Sequence, residues 1–176
     1  MNAELNQPVS GTVGAGTGAS VGKICGSERS TKTGLGIYAA SIGKLQMAAV
    51  VVLNALGDIF DPKTGRQVAG LLTEDKKGFA SSCQELYRLT EQTDLFTGNT
   101  TIGAVITNGA FSKAELTKIA SMTRCAYARC INPVGTMADG DSIYAASVGN
   151  VPADINVAGT LAAEVMEKAI LKAAEI

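Results

Sequence analysis

A candidate hydroxyl nucleophile, Thr100, lies in the sequence GNTTIG (residues 98–103) of a chain that contains no histidine. A Ser-His-Asp triad is therefore excluded, because no imidazole is present to take the hydroxyl proton. One arrangement needs no histidine. If the chain is cut between Asn99 and Thr100, the freed α-amino group of Thr100, with an unperturbed pKa of about 8, acts as the base for its own hydroxyl.

The sequence around this dipeptide suits such a cut. Residues 90–99 (TEQTDLFTGN) are polar and lack a periodic apolar pattern, whereas residues 102–107 (IGAVIT) predict a strand. Asn-Thr pairs are common, so this setting supports the prediction more than the dipeptide does. We expect a single catalytic domain over residues 1–176 that cuts itself into fragments 1–99 and 100–176.

Four further polar residues, Lys23, Asn54, Asp139 and Asp141, could serve the same chemistry. Lys23 closes a glycine-rich loop (residues 9–26), which is either a structural turn region or a constrained loop that points the lysine into a pocket. Asn54 ends an apolar strand, as a turn residue or as an amide aimed at a developing oxyanion. The two aspartates are solvated turn residues, or they orient the ammonium group of a cut threonine or of a substrate.

Cofactor and metal sites are not predicted. The phosphate-loop pattern GxxxxGK[ST] fails at both ends, where Thr17 and Ile24 stand. The glycines of residues 14–19 lack the preceding strand and the acidic residue of a dinucleotide site. Without histidine or a CxxC motif, and with Cys125 and Cys130 off a common helical face, we expect no metal.

Composition narrows the function further. A chain of 176 residues is long enough for one domain with a real core. Its net charge of −1 argues against nucleic acid or an anionic membrane surface as the main partner. No apolar run approaches the length of a membrane span. The first residues, MNAELNQPVSG, lack the pattern of a signal peptide, which predicts a cytoplasmic protein with reduced cysteines.

The strands that would position these residues are predicted from apolar runs. Residues 34–41 and 44–55 predict an antiparallel hairpin around positions 42–43. The second strand is apolar on both faces, so we expect it to be central and covered on both sides. Residues 102–107 and 141–147 predict two more strands.

Helices are predicted from capping signals and apolar spacing. Ser112 and Glu115 form a capping box that starts a helix running to about residue 128. Residues 79–91 and 156–175 predict two further helices. Antiparallel strands with covering helices indicate an α+β layered sandwich.

Four separated motifs, VGAGTGASVGK, VVVLNALGDIFDPKTG, GNTTIGAVITN and MADGDSIYAAS, together resemble the DmpA-like aminopeptidases. That family includes D-aminopeptidase/D-esterases, β-peptidyl aminopeptidases and nylon-oligomer hydrolases. The resemblance covers residues 9–176. It implies a four-layer αββα sandwich of the ornithine acetyltransferase-like, N-terminal-nucleophile type, and self-cleavage before a nucleophilic Thr100, with Asn99 on the other side of the cut.

The resemblance also implies roles for the other site residues and an activity. Asn54 would lie in the oxyanion hole and Lys23 beside the nucleophile, and Asp139 and Asp141 would position the amine and the hydroxyl. The implied activity is that of an aminopeptidase or amidase that cleaves N-terminal amide or ester bonds of short peptides without a cofactor. The fold also allows acyl transfer to an amine.

One departure from the family affects the fold and the partners. Members carry a long segment before the VGAGTG motif, but here only eight residues precede Val9. We therefore expect a sandwich that is incomplete at the N-terminus. We also expect a homo-oligomer or a complex with an N-terminal-half chain. In the remaining alternative, the chain is an inactive truncated domain that needs a partner chain.

Overall fold

The computed structural model describes residues 9–89 and 98–175, which form nine strands and three α-helices. The strands are β1 (Ser20–Val21), β2 (Thr31–Lys32), β3 (Leu35–Ile42), β4 (Leu45–Val52), β5 (Asp58–Phe60), β6 (Gln67–Ala69), β7 (Ile102–Gly109), β8 (Ile131–Asn132) and β9 (Ser142–Val151). The helices are α1 (Ser82–Arg88), α2 (Lys113–Cys130) and α3 (Ile155–Ala174). Most of the polar stretch predicted at 90–99, and the end of the helix predicted at 79–91, lie outside the described residues.

The main sheet has the order β3-β4-β7-β9. β3 and β4 form the predicted hairpin, β4 pairs antiparallel with β7, and β7 pairs parallel with β9. The helices α2 and α3 pack together on one face of this sheet. Ser112 and Glu115 form the predicted capping box at the start of α2.

The core lies between the sheet and these helices. Alternate residues of β4, namely Leu45, Met47, Ala49 and Val51, are buried beneath α3, which contributes ten buried residues of its own. Burying an aliphatic side chain of the size of leucine or valine stabilises a fold by about 1.5–3 kcal/mol. This alternation gives the sheet one strongly buried face.

The opposite face of the sheet is only partly covered by the described residues. We call it the outer sheet face; its apolar residues are Leu35, Ile37, Ala39, Ala48, Val50, Val52, Ile102, Ala104, Ile106, Tyr144, Ala146 and Val148. Ile106 is 37% exposed and Tyr144 is 65% exposed. The expectation that the second strand of the hairpin is covered on both sides is therefore wrong for the described residues, although β4 is central in its sheet. Of the four layers implied by the resemblance, the main sheet supplies one sheet layer, and α2 and α3 supply one helical layer.

Smaller elements surround this unit. β6, β5 and β8 form a three-stranded sheet, and β1 pairs with β2. Asp58 in β5 is buried, and its carboxylate accepts hydrogen bonds from the backbone of Leu71 and from the backbone and hydroxyl of Ser82. Burial raises the pKa of Asp58, while these hydrogen bonds oppose the rise. The buried carboxylate thus connects the small sheet to the start of α1.

Candidate active site

Strand pairing brings three of the candidate residues to one end of the main sheet. Because β4 runs antiparallel to β7, Val52 at the end of β4 pairs with Ile102 at the start of β7. Asn54 therefore follows β4 close to the point where Thr100 leads into β7. β9 runs parallel to β7, so Asp141 also precedes its strand at this end.

The glycine-rich loop adds Lys23 to this group. The backbone N–H groups of Gly22 and Lys23 donate to the carbonyls of Gly57 and Leu56, which holds the loop against the chain that follows Asn54. The Lys23 ammonium then donates to Asn54 Oδ1 at 2.7 Å. The Lys23 side chain therefore reaches Asn54 and lines the same cavity as Asn54 and Thr100.

Lys23 and Asn54 both contact the carbonyl of Gly98. Asn54 Nδ2 donates to this oxygen at 2.8 Å, and Lys23 Nζ lies 3.4 Å from it. The backbone N–H of Ser20 also donates to Asn54 Oδ1, at 3.3 Å, which fixes the orientation of the side-chain amide. Both donors are therefore directed at one backbone carbonyl.

The peptide bond between Asn99 and Thr100 is held on both sides. Thr100 Oγ1 donates to the Asn99 carbonyl at 2.7 Å, and the backbone N–H of Gly140 donates to the same oxygen at 3.0 Å. The Thr100 N–H donates to the Asn54 backbone carbonyl at 2.8 Å. The candidate nucleophile therefore lies beside the carbonyl that self-cleavage requires it to attack.

The two aspartates have different contacts. Asp141 Oδ1 accepts from the Thr101 N–H at 2.8 Å, one residue past the nucleophile. Asp139 Oδ2 accepts from the N–H and hydroxyl of Thr136, at 3.0 and 2.9 Å. Among the described residues, the Thr100 hydroxyl donates to its neighbouring carbonyl and to neither carboxylate.

Electrostatic coupling nevertheless links the aspartates to the lysine. Burial lowers the pKa of Lys23, and the negative charge of Asp139 opposes that decrease. Burial raises the pKa of Asp141; the Thr101 N–H opposes this rise and the Asp139 carboxylate adds to it. Asp139 thus stabilises the protonated form of both neighbours.

A cavity of about 360 Å³ opens onto these groups. Its lining includes Gly18, Ser20, Lys23, Asn54, Gly98 and Thr100. The glycine-rich loop therefore forms a wall of the cavity that the candidate nucleophile lines.

Sequence reasoning missed two backbone donors at this site, the N–H groups of Gly140 and Ser20. The signal for Gly140 was available in the Asp-Gly-Asp triplet, because a glycine between two candidate site residues allows a close backbone approach. A Cβ at this position would lie 2.7 Å from Thr100 Oγ1.

Two negative findings apply to the described part of the chain. Residues 9–89 and 98–175 contain no group of three or more metal-ligating side chains that could hold an ion. No helix in these ranges combines the length and the apolar character needed to cross a membrane.

The sequence is similar to those of known hydrolases. A 6-aminohexanoate-oligomer endohydrolase of Kocuria sp. (strain KY2) is 33% identical over 183 residues, which covers 94% of this chain and 50% of the relative. The chain spans about half the length of the 6-aminohexanoate-oligomer endohydrolases that it matches.

Two solved structures share the fold. An L-aminopeptidase D-Ala-esterase/amidase from Ochrobactrum anthropi, described as a variant of the N-terminal-nucleophile hydrolase fold, matches with a TM-score of 0.61 and 16% identity. The match covers 94% of this chain and 45% of that one. A β-aminopeptidase from Burkholderia sp. matches with a TM-score of 0.58 and 18% identity, over 96% and 47% of the two chains.

The sequence profile of peptidase family S58 matches residues 1–175, nearly the whole chain. This match confirms the resemblance predicted from the four motifs. The chain also shares the fold of the Ochrobactrum structure, which is a variant of the N-terminal-nucleophile hydrolase fold. With a threonine beside its own preceding carbonyl and a polar cavity around it, this chain belongs to peptidase family S58.

Proposed function

We propose that residues 1–176 form a catalytic domain of an N-terminal-nucleophile hydrolase that cuts itself between Asn99 and Thr100. Its activity is that of an aminopeptidase or amidase on N-terminal amide or ester bonds of short peptides. The observation that supports this most directly is the 2.7 Å contact between the Thr100 hydroxyl and the Asn99 carbonyl. The hydroxyl that would attack is already hydrogen-bonded to the carbonyl group that it would attack.

Self-cleavage proceeds through an ester. Thr100 Oγ attacks the Asn99 carbonyl carbon, the bond from that carbon to the Thr100 nitrogen breaks, and the hydroxyl proton moves to the nitrogen, which becomes an amine. The Asn54 backbone carbonyl accepts from this nitrogen throughout and keeps the leaving amine in place. Water then hydrolyses the ester, which leaves a carboxylic acid on Asn99 and restores the Thr100 hydroxyl.

Hydrolysis of a substrate uses the same hydroxyl after the cut. The new α-amino group of Thr100 takes the hydroxyl proton as Oγ attacks the substrate carbonyl. Asn54 Nδ2 and Lys23 Nζ, which hold the Gly98 carbonyl in the uncut chain, bind the substrate's oxyanion once the segment ending at Asn99 moves away. The Gly98 carbonyl thus occupies the place of the substrate carbonyl before processing.

The relatives support an amide substrate. The Kocuria protein is an endohydrolase of 6-aminohexanoate oligomers. Acyl transfer is the second candidate reaction, because an amine in place of water would accept the acyl group from the same Thr100 ester. The partition between free acid and acylated amine, with an added amine, separates the two activities.

A partner segment is also part of the proposal. The outer sheet face exposes large apolar side chains from β7 and β9, while the outward apolar side chains of β4 are half-buried. The chain spans about half the length of the relatives. We propose that a second sheet, equivalent to the unmatched half of those relatives, covers this face. Homo-oligomers through the same face are the alternative outcome. The cytoplasmic location predicted from the sequence stays a prediction.

The test of the proposed function is the intact mass of the purified chain, followed by N-terminal sequencing. Two fragments, with the smaller one starting at Thr100, would support it. Incubation with short amide substrates then assays the activity. A chain that stays uncut, or a fragment that starts at another residue, would contradict the assignment of the nucleophile.

A further inference from the structure

We propose that the backbone N–H of Gly140 stabilises the oxyanion formed on Asn99 during self-cleavage, separately from the role of Asn54 in substrate hydrolysis. This inference rests on the proposed function. The Gly140 N–H donates to the Asn99 carbonyl oxygen at 3.0 Å. That oxygen is the atom that becomes negative when Thr100 attacks.

The side chain of Asn54 is occupied elsewhere in the uncut chain. Its Nδ2 donates to the carbonyl of Gly98, one residue before the scissile bond, at 2.8 Å. Lys23 is directed at the same Gly98 oxygen. The two carbonyls of Gly98 and Asn99 therefore have different donors, and the one that reacts in self-cleavage is held by Gly140.

The direction of the Gly140 N–H is set by strand pairing. Asn99 and Asp139 form a parallel bridge, and further along the same pair of segments the Ser142 N–H donates to the Thr101 carbonyl at 3.1 Å. Asp141, between them, holds the Thr101 N–H. The donor is thus in place before the reaction begins, so little reorganisation is needed as charge develops.

Glycine allows a close approach to the Thr100 hydroxyl here. The φ of Gly140 lies outside the left-handed region, so the backbone itself would accept other residues. However, a Cβ would lie 2.7 Å from Thr100 Oγ1, in the position of the nucleophile. The absence of a side chain lets the backbone of residue 140 approach both the carbonyl and the hydroxyl.

The charges nearby make this donor important. The segment that would carry the oxyanion pairs with a segment that holds two carboxylates: Asp139 is the bridge partner of Asn99, and Asp141 accepts from the Thr101 N–H. Negative charges on one pair of segments repel. A fixed N–H dipole offsets part of that repulsion without adding a titrating group. The charge disappears when the bond to the Thr100 nitrogen breaks and the carbonyl re-forms in the ester.

The test replaces the Gly140 amide with an ester by incorporating glycolic acid at this position in cell-free translation. The substitution removes the N–H and keeps the backbone shape. The matched control places the α-hydroxy analogue of serine at Ser142, which removes the donor to the Thr101 carbonyl in the same pair of segments. Self-cleavage is followed over time on gels, and thermal unfolding is measured for both.

We expect the ester at Gly140 to slow self-cleavage by about 10²–10³-fold, the usual effect of losing one oxyanion donor. The ester at Ser142 should slow self-cleavage by less than about tenfold. Its loss of thermal stability should be similar to that caused by the ester at Gly140. A merely structural hydrogen bond would affect both rates alike. If wild type is cut and both esters are cut at equal rates, the role of Gly140 is wrong; if wild type stays uncut, the proposed function itself fails.

A second variant covers the case in which the ester does not fold. Gly140→Ala keeps the N–H but directs a methyl group at Thr100 Oγ1, so we expect slow self-cleavage. Adding Thr100→Ser should restore part of the rate, because serine lacks the γ-methyl that restricts threonine's rotamers. If a folded Gly140→Ala chain is cut at the wild-type rate, residue 140 does not closely approach the Thr100 hydroxyl during the reaction. That result would overturn the inference.

Discussion

Asn54 holds Thr100 through its backbone and holds Gly98 through its side chain: the Asn54 carbonyl accepts from the Thr100 N–H at 2.8 Å, while Asn54 Nδ2 donates to the Gly98 carbonyl at 2.8 Å. One residue therefore contacts the chain on both sides of the bond between Asn99 and Thr100. In the proposed mechanism, the backbone contact holds the leaving amine, and the side chain binds substrate after the cut.

The two roles of Asn54 can be separated by Asn54→Ala, which keeps the backbone carbonyl and removes the amide. We expect kcat for substrate hydrolysis to fall by about 10²–10³-fold, because one oxyanion donor is lost. Self-cleavage should change by less than about tenfold, since Gly140 serves the Asn99 carbonyl. Rates of processing and of turnover, measured on the same preparation, check this. Equal losses in both rates would show that Asn54 serves a single step.

The nucleophile is tested by Thr100→Ala, which leaves no hydroxyl to attack the preceding carbonyl. We expect one intact chain by mass spectrometry. Thr100→Ser should still be cut, because it keeps the hydroxyl. Thr160→Ala, at an exposed position of α3, is the matched control and should be cut like wild type. Fragments from the Thr100→Ala chain would mean that another residue performs the cleavage.

The pH dependence of self-cleavage is tested by Asp139→Asn. Burial and the Asp139 charge hold the pKa of Asp141 above its usual value, so removing that charge lowers it. If ionised Asp141 is needed to hold the Thr101 N–H, the acidic limb of the rate profile moves to lower pH. The measurement is the pH at the midpoint of the acidic limb of the self-cleavage rate, rather than the maximal rate. A limb that stays in place or moves to higher pH would contradict the coupling.

The raised pKa of Asp141 also predicts the direction in which the free energy of unfolding changes with pH. The pKa of Asp141 is higher in the folded chain than in the unfolded chain, so the folded state binds more protons between the two values. The contribution of Asp141 is fully present below the unfolded pKa and is lost as pH rises through the folded pKa. In Asp139→Asn the pH range between the folded and unfolded pKa values of Asp141 narrows. The free energy of unfolding, measured in urea across the acidic range, should therefore lose less of the contribution of Asp141.

The close packing of α3 on β3 is tested by Gly36→Ala. A Cβ at Gly36 would lie 1.9 Å from the carbonyl oxygen of Ala169, so the helix must move away from the sheet. We expect a loss of about 3 kcal/mol in the free energy of unfolding. Gly78→Ala, where no atom lies within 4 Å, should change it by less than about 1 kcal/mol. Similar values for both variants in urea titrations would contradict this packing.

The outer sheet face is tested by Ile106→Lys. Ile106 is near the middle of this face, and a charge there disfavours the burial that a covering sheet or a second copy needs. We expect the wild-type chain to associate and the variant to associate less, as measured by sedimentation equilibrium. Tyr87→Lys, on α1 and 78% exposed, is the control. A soluble wild-type monomer with full peptidase activity would show that no covering partner is needed.

The sequence by itself determined the features that depend on neighbouring residues or on short motifs. The capping box at Ser112 depends on a residue three positions later, and the β3–β4 hairpin depends on two apolar runs around a tight turn. The four motifs identified the family, and the absence of histidine pointed to a threonine that needs no imidazole. These signals are local, so they can be recognised without knowing how the chain folds.

Only the tertiary structure decided which groups meet. Pairing between β7 and β9 places the Gly140 N–H on the Asn99 carbonyl, and the glycine-rich loop brings Lys23 to Asn54. Asp139 and Asp141 are two residues apart, yet one contacts Thr136 and the other Thr101. These contacts depend on strand register between distant segments. The same reason explains why one face of β4 is only partly covered. The apolar pattern of β4 shows that both faces favour burial, but whether another layer covers each face depends on residues far away in the chain or outside it.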